Sequence, residues 1–140
     1  MADSNSVLTV SIVTPDGKVY EQKAASLVIV TTKSGQLGIM PNHVPVIASL
    51  EVDEVRVNHD NATDEVAVNG GFIEFSDNAV TIVADSAENK NDIDVDRAKR
   101  AQQRAQNVIQ KAKNAHDDKA IQRSEVALRR ALNRIKVASH

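Results

Sequence analysis

IDVDRAKRAQQRAQ, Ile93 to Gln106, is the stretch where the chain changes its period. Before it, apolar residues alternate or run in short β-branched blocks. From it onward, Ala98, Ala101, Ala105, Val108 and Ala112 recur at steps of three and four, which places them along one face of an α-helix. Asp94, Arg97, Arg100 and Arg104 ride on the same helix with almost no large apolar residue to hold it down. A helix with much charge to present and little to bury is suited to an anionic neighbour.

Moving toward the C-terminus, NAHDD (Asn114 to Asp118) interrupts the pattern, and Asp117 or Asp118 stands where a carboxylate would cap a second helix. The stripe of that helix is Ile121, Leu128, Leu132 and Ile135. Two helices joined by so short a break form an antiparallel hairpin. Because the first stripe is mostly alanine, the hairpin is marginal by itself and is expected to need docking or a ligand.

Moving toward the N-terminus, short strands are expected at Ser6–Val13, Ser26–Thr32, Val44–Leu50, Glu54–Val57, Glu65–Val68, Phe72–Phe75 and Ala79–Asp85. Clusters of Gly, Asn and Asp separate them, and TPDGK (Thr14 to Lys18) supplies a turn. The expected fold is mainly β plus α: an N-terminal antiparallel β-sandwich over residues 1–89, then an antiparallel two-helix hairpin over 90–140.

Charge divides the chain at the same place. Residues 1–92 hold 5 Lys+Arg against 14 Asp+Glu, a formal −9; residues 93–140 hold 12 against 5, a formal +7. Such asymmetry points to segments with different partners. A basic tail suggests nucleic acid, but Tyr20, Phe72 and Phe75 are the only aromatics and all lie in the acidic half, so no stacking platform accompanies the arginines. Nucleic acid is not an expected partner.

With 140 residues the chain has room for one main core, and 41% hydrophobic against 26% charged residues is a folded composition rather than a disordered one. The absence of cysteine excludes a disulfide framework, a thiolate metal site and a cysteine nucleophile, and fits a reducing compartment. MADSNS is polar and acidic, unlike a secretory signal, and no run approaches the roughly 18 apolar residues of a membrane span. Membrane association is expected only through a partner.

Catalytic machinery is missing at the level of motif. GxSxG, HExxH, GxxxxGK[ST] and GxGxxG after a strand are all absent, and His43, His59, His116 and His140 are scattered away from metal-ligand spacing. No residue is assigned a catalytic or metal-binding role. SGQLGIMPNHVPV, Ser34 to Val46, reads either as a long loop in which Gly35 and Gly38 provide positive φ, or as an exposed contact loop. The arginines carry two readings as well. Arg97 and Arg104 lie two turns apart, and Arg123, Arg130 and Arg134 are spaced by seven and four. They form either a solvated face with local ion pairs such as Asp96 to Arg100, or a clamp whose guanidinium forks converge on phosphate oxygens.

At this point the chain resembles the epsilon subunits of bacterial and chloroplast F-type ATP synthases. The resemblance rests on SGQLGIMPNHVPV (Ser34 to Val46), VNGGFIEFSDNAVTIVAD (Val68 to Asp85), IDVDRAKRA (Ile93 to Ala101) and ALRRALNRIKV (Ala127 to Val137), in the family's order. It implies a non-catalytic rotor subunit of the central stalk, with the gamma subunit, the c-subunit ring and the alpha/beta catalytic hexamer as partners. It implies coupling of proton-driven rotation to ATP synthesis, and a helical hairpin that blocks ATP hydrolysis when extended and releases it when folded. It implies a peripheral membrane protein on the cytoplasmic face of the bacterial cell membrane, held there by the complex.

The resemblance also implies ATP as a regulatory ligand, with no cofactor required. The family's [IL]DxxRA motif appears as Ile93, Asp94, Arg97 and Ala98; by the same matching Glu88 and Asp94 face adenine or ribose, and Arg97, Arg104, Arg123, Arg130 and Arg134 surround the phosphates. Asp96 is a departure, a carboxylate inside the motif that a strong binder would not be expected to carry. The Gly-rich loop, with Gly38, Pro41 and His43, is implied to touch the ring or gamma. The alternative is a free-standing nucleotide sensor whose hairpin only reports ATP; a sandwich-fold enzyme would need a paired-carboxylate or metal site.

Overall fold

Two Asp-Asn pairs turn the chain back on itself. Asp60 and Asn61 (φ 46° and 63°) join β5 (Val46–His59) to β6 (Ala62–Ser76), and Asp77 and Asn78 (φ 49° and 60°) join β6 to β7 (Ala79–Ala84). A two-residue connection with both φ values positive matches the right-handed twist of the strands it joins, and Asp and Asn enter that region at low cost. The computed structural model describes residues 6–140; the polar start at Met1–Asn5 lies outside them.

The remaining strands are β1 (Leu8–Thr14), β2 (Gly17–Ala25), β3 (Leu27–Thr32), β4 (Gly35–Ile39) and β8 (Ala87–Asn89). They join in the order β2-β1-β7-β6-β5-β3-β4, with β8 added to β6. The β1–β7 pair is parallel; the other pairings are antiparallel. The long strands serve both layers. β6 pairs with β7 through Gly71–Ser76 and with β8 through Val66–Val68, while β5 meets β3 through Arg56–Asn58. Gly70 and Gly71 lie between the two β6 regions at φ 86° and 127°.

Alternate residues of the strands fill the space between the layers: Leu8, Val10 and Ile12 from β1, Val28 and Val30 from β3, Val55 and Val57 from β5, Ile73 and Phe75 from β6, Val80 and Ile82 from β7. This is the expected sandwich. Four expected strands prove to be two. Val46–Leu50 of the expected Val44–Leu50 and all of Glu54–Val57 belong to β5, and Glu65–Val68 and Phe72–Phe75 to β6, because Leu50↔Gly71 and Val52↔Asn69 keep one register across the polar break. β2, β4 and β8 were not expected. Polar side chains on exposed strands such as GKVYEQKAA hide the period of two.

β2 is also tied to the β5–β6 end of the sheet by side chains. The Tyr20 hydroxyl donates to Asp64 Oδ2 at 2.7 Å, and His59 Nε2 lies 2.7 Å from the same oxygen. A carboxylate only accepts, so His59 Nε2 carries the proton of that bond. Burial, then the hydrogen bond and the negative charge of Asp64, push the Tyr20 hydroxyl well above the ordinary phenol range.

Residues up to Lys90 form one compact unit and Asn91–His140 a second. A 3-10 turn, Lys90–Asp92, precedes α1 (Val95–Asn114) and α2 (Asp118–Ala138). The corner between the helices is closed at both ends. Asp117 N–H reaches back to Ala112 O and His116 N–H to Lys113 O, with His116 at φ 55°, which is the Schellman arrangement with histidine in the usual glycine place. The Asp117 carboxylate then accepts Ala120 N–H at 3.1 Å and starts α2.

On α1 the buried residues are Ala98, Ala105 and Ala112, as the three-four spacing predicts, whereas Val108 is 45% exposed. The expected α2 stripe needs correction. Ile121, Leu128 and Ile135 are only half-buried and Leu132 is 43% exposed, while Ser124, Ala131, Asn133 and Val137 are buried. Small side chains let helices approach closely and leave larger ones at the flanks of the contact.

Candidate functional site

Each residue of the Ile93, Asp94, Arg97, Ala98 motif has a place in the start of α1. Asp94 is the N-cap; its Oδ1 accepts Arg97 N–H at 3.0 Å, and its backbone oxygen accepts Ala98 N–H at 3.0 Å. Ile93 and Ala98 flank the cap at the two positions of a hydrophobic staple, and both are buried. The motif thus builds a helix terminus whose first turn leaves the Arg97 side chain exposed. Asp96 is exposed beside it in that turn, where a negative charge favours the helix dipole.

The other arginines follow from helix geometry. Arg104 stands seven residues beyond Arg97, about 10 Å along the axis, on the same face. Ala101, Arg104, Ala105 and Val108 of α1 line a groove of about 300 Å³ with Ser124 and Ala127 of α2. The two helices run antiparallel, so the start of α1 lies beside the end of α2. Arg97, in the first turn of α1, and Arg134, near the end of α2, therefore lie at the end away from the corner, while Arg104 and Arg130 lie near the middle of their helices. Arg123 lies nearer the corner and is exposed.

Among the described residues, Arg130 Nε is buried with no hydrogen-bond partner. A guanidinium nitrogen removed from water without an acceptor is costly, and an incoming anionic oxygen would relieve that cost. Glu88 sits in β8 of the other unit, where its backbone pairs with Ala67. Of the nine residues matched to ATP, the hairpin thus holds eight.

The second candidate region is the Gly-rich loop. Gly35 has the positive φ expected of it, 121°, but Gly38 lies inside β4, paired with Ile29, and a Cβ there would meet only ordinary contact at 3.7 Å from Leu27 Cδ1. The residue that adopts the left-handed conformation is Asn42, at φ 68°. Beyond Ile39 the chain turns at Met40–His43, where His43 N–H donates to Met40 O. Pro41 is half-buried in this turn. The His43 ring stands edge-on to Phe75 with centroids 5.9 Å apart, and its Nδ1 donates to Val44 O at 2.7 Å.

Around this turn Met40, Val44 and Ile47 are 60%, 70% and 75% exposed, an apolar patch on an otherwise ordinary surface. Sequence reasoning singled out His43 and Pro41 and passed over these three. The available signal was GIMPNHVPVI itself, five large aliphatics around turn residues. Among the described residues no helix is long and apolar enough to cross a membrane.

Comparison with known proteins fits this arrangement. Residues 7–90 match the family model described as ATP synthase, delta/epsilon chain, β-sandwich domain, and residues 91–139 match the delta/epsilon chain long α-helix domain. The ATP synthase epsilon chain of Levilactobacillus brevis is 66% identical over 140 residues, covering 100% of both chains. That of Pediococcus pentosaceus is 60% identical over 136 residues, covering 97% of this chain and 98% of the relative. Among solved structures, a chain of the Euglena gracilis mitochondrial ATP synthase, OSCP/F1/c-ring, shares the fold with a TM-score of 0.80 at 19% identity, covering 100% of this chain and 85% of that one. A chain of the Tetrahymena thermophila mitochondrial ATP synthase central stalk and c-ring has a TM-score of 0.53 at 14% identity, covering 65% and 72%. The chain therefore belongs to the ATP synthase delta/epsilon family, as an epsilon chain, a non-catalytic subunit of that enzyme.

Proposed function

We propose that the sandwich seats the chain in the rotor beside the gamma subunit and the c-subunit ring, and that the hairpin is a brake on ATP hydrolysis. In this reading the chain couples proton-driven rotation to ATP synthesis and reaches the cytoplasmic face of the cell membrane only through the complex. The observation that carries it is the hairpin itself: two capped helices held by alanines, with cations along their exposed faces and one buried guanidinium nitrogen without an acceptor. Folded, its arginines hold ATP as a regulatory ligand, with Arg97, Arg104, Arg123, Arg130 and Arg134 toward the phosphates and Glu88 and Asp94 toward adenine or ribose, while Ile93 and Ala98 complete the motif that starts the helix. Extended, the same stripes face an acidic surface of the alpha/beta hexamer. ATP binding and braking then compete for one set of charges.

Neutralising Arg97, Arg123 and Arg130 together in the assembled enzyme tests this. The reading expects weaker ATP binding by the isolated chain in calorimetry and faster hydrolysis by the complex. Unchanged values of both would refute it. The contact loop has its own test: introducing an acidic residue within Gly38–His43 is expected to weaken assembly, and unaltered assembly would contradict the seat assigned to the sandwich.

A further inference from the structure

Two asparagines 36 residues apart hold the contact loop in shape. Asn42 N–H donates to Asn78 Oδ1 at 2.7 Å, and Asn78 Nδ2 donates back to Asn42 Oδ1 at 3.2 Å. Both residues are left-handed, at φ 68° and 60°, and each belongs to a tight turn: Asn42 to Met40–His43, Asn78 to the β6–β7 connection. The second turn is itself anchored, because Thr9 N–H donates to Asn78 O at 2.9 Å. A reciprocal amide pair of this kind transfers the rigidity of the sheet to a loop that has no ladder of its own.

The clasp lies within the exposed patch. Asn42, His43, Pro45, Asp77 and Asn78 line one hollow of about 300 Å³, and Pro45, Val46, Ile47, Glu74, Phe75 and Ser76 line a second of about 340 Å³. Pro45 is the wall they share. The second floor is apolar, with Phe75 beneath it, while Glu74 and Asp77 place carboxylates at the rims. An apolar floor beside acidic rims complements a segment that carries an aliphatic side chain next to a lysine or arginine.

We propose that Asn78 is a positioning residue for subunit contact: through Asn42 it presents Met40 and Val44, beside the sheet-held Ile47, to a loop of a neighbouring ATP synthase subunit bearing one apolar and one cationic side chain. This rests on the proposed role of the Gly-rich loop as an assembly surface. Asn78 touches no partner in this account. Its contribution is preorganisation, which lowers the entropic cost of binding.

Asn78→Gly is the informative variant, since glycine accepts φ 60° and keeps the carbonyl bonded to Thr9 while deleting the amide. Affinity of the full-length chain for the ATP synthase complex stripped of this subunit is measured for wild type, Asn78→Gly, Asn78→Asp and Val44→Glu. The expected results are about a tenfold loss for Asn78→Gly, recovery of most of it by Asn78→Asp, which still accepts from Asn42 N–H, and a melting temperature within about 4 °C of wild type throughout. Loss of affinity for Val44→Glu with none for Asn78→Gly would overturn the clasp while leaving the contact surface standing. No loss for Val44→Glu would overturn the surface itself. An effect of Asn78→Gly on self-association, seen by sedimentation, in place of an effect on assembly would assign the surface to a second copy and overturn the proposal.

Discussion

Gly71 shows how much a single residue can decide. At φ 127° it takes a conformation that L side chains rarely adopt, and a Cβ there would overlap Val83 O and stand 2.8 Å from Ala84 Cα in the adjoining strand. Gly71→Ala is expected to cost about 3 kcal/mol or more in chemical denaturation, because the strained φ and the backbone clash add. Tyr20 gives a prediction of a different kind. Its hydroxyl titrates above its ordinary value in the folded state, so the stability it contributes is complete below about pH 10 and declines as pH rises past that point, where only the unfolded chain releases the proton freely. The unfolding free energy of wild type should therefore fall more steeply than that of Tyr20→Phe between neutral and strongly alkaline pH; parallel curves would contradict the role given to Asp64. Neither residue was legible as special in the sequence. Gly71 looked like a strand break, and Asp64, the partner of Tyr20, lies 44 positions away, beyond any local pattern.

The helices were the most legible elements, and their ends explain why. Asp117 and the three-four run of alanines are local signals, readable without knowing what the helix meets, whereas the capping role of Asp94 came only with the structure. The strands were harder wherever one face is wet: Lys18, Glu21 and Lys23 disguise β2, and the polar stretch from Glu51 to Asp53 disguises the middle of β5. The corner between the helices offers a direct check. Asp117→Ala removes the cap of α2 and should destabilise the hairpin by about 1 kcal/mol. His116→Val should cost about 2 kcal/mol, since a β-branched residue resists φ 55°, whereas His116→Gly should be close to neutral. Amide exchange in α1 and α2 would report all three. Equal exchange in the Val and Gly variants would contradict the strained corner.

For the molecule as a whole, composition announced the division that the fold displays: an acidic set of strands and a basic pair of helices that form separate compact units. The role proposed for the arginines rests on the family resemblance, because a charged stripe on a helix looks the same whether it is solvated or waiting for phosphate. The buried Arg130 Nε, which the sequence could not display, is what favours the second reading. If ATP is held by the folded hairpin, ATP at a hundred times its dissociation constant should stabilise that form by about 2.7 kcal/mol. Amide exchange should then slow across α1 and α2 and stay unchanged in the core strands β1 and β7; no change at millimolar ATP would remove the nucleotide from the account. The brake itself is tested most directly by the rate of ATP hydrolysis in the complete enzyme, assembled with the full chain or with a chain lacking residues 90–140. Faster hydrolysis with the shortened chain is the predicted result, and equal rates from two fully assembled enzymes would contradict the brake.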